Sequence, residues 1–134
     1  FQSPLAGAST GFQFARGKYS LLLACDTPFV SKKVVIHLLN LCMGKDAVIP
    51  KWSNDYLEPL HAIYRTDSAF NAAKEALESR ELDMLSMIKN LKEVYYVKVN
   101  SLKRVEPGLL TFLNINDPND LRKAQKILMR ATKN

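Results

Sequence analysis

Apolar residues follow one another from Leu21 to Cys25, after Tyr19-Ser20, and the run stops at Asp26 and Pro28. An unbroken apolar run closed by an acid and a proline predicts a buried parallel strand whose carboxyl end presents Asp26. Val34, Val35, Leu38, Leu39 and Cys42 then recur at helical spacing, with Ser31 able to cap the start and Gly44 to stop the end, which predicts a helix over 32–43. A strand is expected over 46–50, a turn over 51–55, and an extended stretch over 56–65 broken by Glu58-Pro59. Phe70, Ala73, Ala76 and Leu77 share one helical face, a short helix covers 84–91, and Tyr95 to Val99 alternates as a strand. Pro107-Gly108 breaks the chain before a short apolar stretch over 109–115. Asp117, Pro118 and Asp120 then open a last helix as cap, first helical residue and first-turn acid. Strands alternating with helices imply an α/β sandwich, with ligands expected at the carboxyl edge of the sheet.

The 134 residues suffice for one domain with a real core, and no repeat, linker or membrane-spanning run interrupts them. A net charge of +6 favours anionic partners such as nucleotides or phosphorylated cofactors. Basic residues do not interleave with aromatics, so a nucleic-acid platform has little support. Cys25 and Cys42 lie in apolar segments with no CxxC or Cys/His cluster, and read as buried reduced thiols of a cytoplasmic protein. Leu22-Leu23-Ala24-Cys25 imitates a lipoprotein cleavage site, but the apolar stretch is short and patterned elements follow at once.

Candidate chemistry is sparse. Asp26 is either a turn former before Pro28 or a ligand for a hard divalent cation on nucleotide phosphates, since magnesium takes one or two carboxylates plus phosphate oxygens. Asn116 also offers an oxygen at the end of an apolar segment, beside its alternative as a residue just outside a capped helix. Glu58 and His61 interrupt an otherwise apolar stretch; Glu58 could accept hydrogen bonds from a substrate, and His61 reads as a structural histidine or a substrate contact. Lys51, Lys98, Lys103 and Arg104 fall in or beside loops where one or two could meet phosphate. The basic last helix is foremost a solvated face. Gly7-Ala8-Ser9-Thr10-Gly11 lacks the Gly-Lys-Ser/Thr ending of a phosphate loop and is rejected as one.

In order, the strings PLAG, LLLACDTPFVS, DAVIPKW, YLEPLHAIYR and FLNINDPNDLRKA closely resemble the molybdenum cofactor guanylyltransferases. The resemblance implies a Rossmann-like, three-layer α/β/α nucleotidyltransferase fold with a mostly parallel sheet. It further implies transfer of GMP from GTP to molybdopterin, with magnesium as cofactor and molybdoenzymes or their chaperones as candidate protein partners. Asp26 matches the family's magnesium-binding aspartate. Asn114 and Asn116 match its active-site asparagine pair, with Asn116 nearer the metal. Pro4, Leu5, Ala6 and Gly7 match a turn along the guanine nucleotide, and Trp52, Glu58 and His61 fall on the acceptor side. Family members open with a strand and a glycine-rich loop that holds the triphosphate, and residues 1–134 do not include that segment. Two further readings follow: a relative using another donor or acceptor, such as a molybdopterin cytidylyltransferase, or a non-catalytic nucleotide-binding or docking module.

Overall fold

The computed structural model describes residues 3–132. It begins with helix α1 (Pro4–Phe14), whose Ser3 cap accepts a hydrogen bond from the amide of Ala6 at 3.1 Å. Strand β1 (Tyr19–Leu23) follows, then α2 (Lys32–Cys42), β2 (Ala47–Lys51) and β3 (His61–Arg65). Helices α3 (Thr66–Glu78) and α4 (Met84–Lys89) lead to β4 (Val94–Lys98). Short 3-10 turns at Val99–Arg104 and Leu110–Phe112 then precede α5 (Pro118–Thr132).

The strands lie in the order β1-β3-β2-β4. Strand β3 pairs antiparallel with both β1 and β2, while β2 and β4 pair parallel. Three strands therefore point one way, and their carboxyl ends share one edge of the sheet with the start of β3. Helix α2 makes the crossover from β1 to β2. Residues 52–60 then bend back to insert β3 between them.

The sheet divides two cores. On one face α1, α3 and α4 pack Leu5, Ala8, Phe12, Ala69, Ala73, Ala76 and Met87 against Ala47, Ile49, Ala62 and Tyr64. On the other, α2 packs Val34, Leu38 and Cys42 against Val48, Ile63 and Val97, and Val99, Leu102 and Phe112 complete the cover. The three-layer arrangement is the one the alternation of elements predicts.

Several expectations hold in detail. Ser31 caps α2 through the amide of Val34 at 3.2 Å, and Gly44 leaves that helix with φ 79°, where a residue without Cβ is least strained. Asp117 caps α5, its carboxylate accepting from the amide of Asp120 at 2.8 Å. The Gly7–Gly11 stretch, rejected as a phosphate loop, is helical.

Other expectations are corrected. Strand β1 is half-exposed and antiparallel to its partner, with Leu21 and Leu23 at 37% and 40% exposure. Its apolar run predicted cover on both faces; Leu22 packs against the core under α1 and α3, while Leu21 and Leu23 on the opposite face stay partly exposed. Cys25 is exposed in the turn after β1, whereas Cys42 is buried and its thiol is pushed up to about 11 by desolvation. Residues 109–115, left without an element by the apolar pattern, form a 3-10 turn followed by extended chain. The four residues Pro4 to Gly7 are the first turn of α1, because Ser3 caps them and Pro4 suits the first helical position.

Candidate functional site

The carboxyl edge of the sheet gathers three segments. The first is the turn at Cys25-Asp26 after β1, which leaves the Asp26 residue half-buried. The second is the connection from β2 to β3. The third is the chain from Glu106 to Asn116, which crosses the edge from Trp52 to Asp26.

The third segment is fastened at several points. The amide of Ile115 donates to the carbonyl of Asp26 at 2.7 Å. That bond sets Asn114 and Asn116, both exposed, on either side of a residue tied to the Asp26 turn. Earlier in the segment, Thr111 is fully buried and acts as a hub. Its hydroxyl accepts from the Ser31 amide at 3.0 Å and lies 2.8 Å from His61 Nε2, while its own amide donates to Glu106 Oε1 at 2.8 Å. One threonine thereby joins β3, the cap of α2 and the crossing segment. Leu109 enters it in the left-handed region with φ 48°, a strained state for a leucine that the surrounding hydrogen bonds must impose. Phe112 then packs edge-on against Trp52, with ring centroids 5.7 Å apart.

His61 does not face the edge. It is 1% exposed, its ring lies 4.8 Å from that of Phe112, and its Nδ1 has no hydrogen-bond partner. Burial lowers its pKa below the usual histidine value, partly opposed by Glu106. An acceptor contact through His61 is therefore replaced by a structural position, because the side chain has no surface to offer. The signal for this lay in its strand: Ala62-Ile63-Tyr64 beside it are all buried.

Trp52 and Glu58 do meet. The indole Nε1 donates to Glu58 Oε1 at 2.8 Å, and both line a groove of about 380 Å³ with Ser53, Asn54 and Tyr56. The loop beneath it is closed by the amide of Trp52 on the carbonyl of Tyr56 at 2.8 Å and by Asp55 in the left-handed region at φ 69°. Glu58 offers its second oxygen and Trp52 its ring to anything that enters. The Pro4–Gly7 turn sits at the amino end of α1, with Leu5 fully buried and Pro4 and Gly7 exposed.

Magnesium would have a thin but suitable donor set here. No group of three or more His, Cys, Asp or Glu side chains forms a metal cluster among the described residues. One carboxylate at Asp26 and amide oxygens from the tethered Asn114–Asn116 segment fit an ion that takes few protein ligands and fills its remaining positions with phosphate oxygens and water.

A mixed α/β sheet between helical layers, with its loops clustered at the carboxyl edge, is a Rossmann-like arrangement. Residues 1–94 match the model of the MobA-like NTP transferase domain, and the chain belongs to that family. It is similar to a probable molybdenum cofactor guanylyltransferase of Methanosarcina acetivorans, at 34% identity over 119 residues, covering 88% of this chain and 52% of the relative. The corresponding protein of Methanosarcina mazei is also 34% identical, over 118 residues and the same shares of the two chains. The chain thus spans about half the length of these curated relatives. Among solved structures, molybdopterin-guanine dinucleotide biosynthesis protein A from Archaeoglobus fulgidus matches with a TM-score of 0.78 and 32% identity, over 96% of this chain and 64% of that one. A cytidylyltransferase acting on 2-C-methyl-D-erythritol 4-phosphate, from Thermus thermophilus, shares the fold at a TM-score of 0.67 and 17% identity, over 93% and 69% of the two chains. No helix among the described residues is long and apolar enough to cross a membrane.

Proposed function

We propose that this chain supplies the metal-side and acceptor-side residues of a guanylyltransferase that moves GMP from GTP to the terminal phosphate of molybdopterin, releasing pyrophosphate. The observation that carries the reading is the 2.7 Å bond from the Ile115 amide to the Asp26 carbonyl, which joins the two segments expected to share a metal. Asp26 and Asn116, with Asn114 beside them, would hold magnesium, whose charge would neutralise the phosphates. The exposed Pro4 and Gly7 are candidates for the nucleotide. Trp52 and Glu58 present a ring and a carboxylate to the acceptor. His61 serves from behind, as a positioning residue for the Thr111 hub. The reaction is an in-line displacement: an acceptor phosphate oxygen forms a bond to the α-phosphorus of GTP as the bond to the pyrophosphate oxygen breaks. Positioning and electrostatics suffice for such a step, with no covalent protein intermediate.

The experiment is guanylyl transfer by the full-length protein with Asp26→Asn. The variant keeps the backbone carbonyl that receives Ile115, so the loop contact survives while the carboxylate is lost. Turnover is expected to fall at least about a hundredfold, the scale seen when one charge-stabilising group is removed from a site of this kind. Undiminished turnover in a folded variant would take Asp26 out of the role. A preference for CTP over GTP would move the donor assignment to a cytidylyltransferase. Binding of nucleotide without turnover would favour the non-catalytic nucleotide-binding reading, and no binding by the folded chain the docking one.

A further inference from the structure

A second cleft, of about 420 Å³, opens where the parallel strands β2 and β4 end, and Lys51, Trp52, Asp55, Tyr96, Lys98 and Asn100 line it. Lys51 and Lys98 are register partners in that ladder, so both side chains leave the sheet on one face, the face that Tyr96 also occupies. Like charges set opposite each other on neighbouring strands are unfavourable. Lys51 is compensated: its Nζ lies 3.2 Å from Asp55 Oδ1 and 5.9 Å from the centre of the Tyr96 ring. Lys98 is exposed, and no carboxylate lies within ion-pair distance of its ammonium among the described residues. The cleft therefore holds a cation with room beside it for an anion, an exposed amide at Asn100, and an aromatic ring that is 43% exposed at Tyr96.

We propose that this cleft is an anion-and-ring subsite that holds the non-reacting part of the acceptor, with Lys98, Lys51 and Asn100 on its anionic substituent and Tyr96 against its ring. The proposal rests on the acceptor reading above and adds the residues that would grip the molecule away from the reacting phosphate. Strands in a sheet lie about 4.8 Å apart, so with β3 between β1 and β2 the cleft stands roughly 10 to 14 Å along the edge from the Asp26 turn. A group held there is out of reach of a phosphorus at Asp26, but lies within the length of one ring-bearing phosphate ester. Cation and ring act together in such a site, since an ammonium favours both an anion and the face of an aromatic system.

The test uses pterin-6-carboxylate as the probe, titrated into this chain and followed by calorimetry and by amide NMR. Unsubstituted pterin and inorganic phosphate serve as separate arms. Binding of the carboxylated pterin is expected, with shifts at residues 96–100. Lys98→Gln and Tyr96→Leu should each weaken it at least tenfold, and both control ligands should bind less well than the probe. The NMR spectrum of each variant reports whether it is folded. Absence of binding to the wild-type chain, or equal binding by Lys98→Gln, would overturn the subsite. Phosphate binding as tightly as the carboxylated pterin, with the same lysine dependence, would overturn the role of the ring. In the full-length protein, Lys98→Gln should raise KM for the acceptor while leaving KM for the nucleotide unchanged. An unchanged acceptor KM in an active protein sinks the cleft alone, whereas absence of transfer by the wild type sinks the function and leaves the binding result to decide the cleft.

Discussion

The two faces of the sheet are closed in different ways. Over β2 and β3 on one face, α1 and α3 approach through Ala8, Ala69, Ala72, Ala73 and Ala76, and the space that small residues leave is filled by Leu5, Phe12, Tyr64 and Met87. Phe12 and Tyr64 meet edge-to-face at 5.5 Å, and the Tyr64 hydroxyl donates to the Pro59 carbonyl at 2.7 Å, while burial pushes the phenol pKa far up and keeps it neutral. The opposite face is covered by α2 and by the irregular chain from Val99 to Phe112. Irregular chain carries backbone groups that no helix satisfies, so burying it requires side-chain partners, and Thr111, His61 and Glu106 are those partners. Apolar packing alone would tolerate small slips of a loop; directed hydrogen bonds at 2.8 to 3.0 Å do not. The candidate site lies where this second kind of closure reaches the carboxyl edge.

Enlarging a side chain on the alanine-rich face should break that contrast most severely. Ala73 is fully buried between α3 and its neighbours. Ala73→Leu inserts three carbon atoms where helices are already in contact, and should cost up to about 3 kcal/mol in urea denaturation. The hydrogen exchange of Ile115, on the other face, is expected to keep its rank among the amides relative to global unfolding. A variant as stable as the wild type would show that this face has slack and that the alanines are not needed for close approach.

The hub on the other face predicts a smaller loss with a sharper address. Thr111→Val keeps the shape and removes the hydroxyl, leaving the Ser31 amide and His61 Nε2 without their partner. A cost of about 1 to 3 kcal/mol follows from leaving buried polar groups unsatisfied. The Ile115 amide should exchange faster than the global loss accounts for, and Thr111→Ser should restore it. Unaltered exchange at Ile115 in the valine variant would mean that the hub stabilises the fold without registering the crossing segment.

Much of this architecture was legible because local signals and tertiary packing agree. Ser31, Gly44 and Asp117 mark helix ends by side-chain chemistry that needs no knowledge of the fold, and each is found doing so. The place of Asp26 in the turn that ends β1 was legible as well, because an acid and a proline close the apolar run. The insertion of β3 between β1 and β2, with its reversed direction, was not, because apolar pattern reports burial and carries no information on strand order or direction. Residues 109–115 were legible only as a short apolar stretch, because such a stretch reads the same in a strand and in a buried 3-10 turn. Thr111 and Glu106 left no signal at all: their partners are 50 and 5 residues away, and only the folded chain brings Thr111 to His61. Lys98 was one of four cations in or beside loops that could meet phosphate, and only the register sets it beside Lys51.

His61 gives the smallest effect and the most direct check on the polar closure. Its pKa is lowered from the model-compound value of 6.5, chiefly by desolvation. The folded protein therefore binds fewer protons than the unfolded chain once the pH falls below that value. The stability that the neutral imidazole contributes is fully present above 6.5 and is lost as the pH falls toward the folded pKa. Asp46 and Asp83 are lowered as well, by hydrogen bonds from the amides of Glu93 and Lys92 and from Ser86, so their contributions are lost only below the carboxylate value of 3.8. The histidine window opens first as the pH falls, so a fall in urea midpoint below 6.5 and above the carboxylate value of 3.8 belongs to the histidine. His61→Gln, which retains a polar group for the Thr111 hydroxyl, should flatten the profile in that window at a modest cost in stability at neutral pH. A profile that keeps its slope in the variant would assign the proton uptake to another group, and would leave the hub resting on Thr111 and Glu106 without a titratable member.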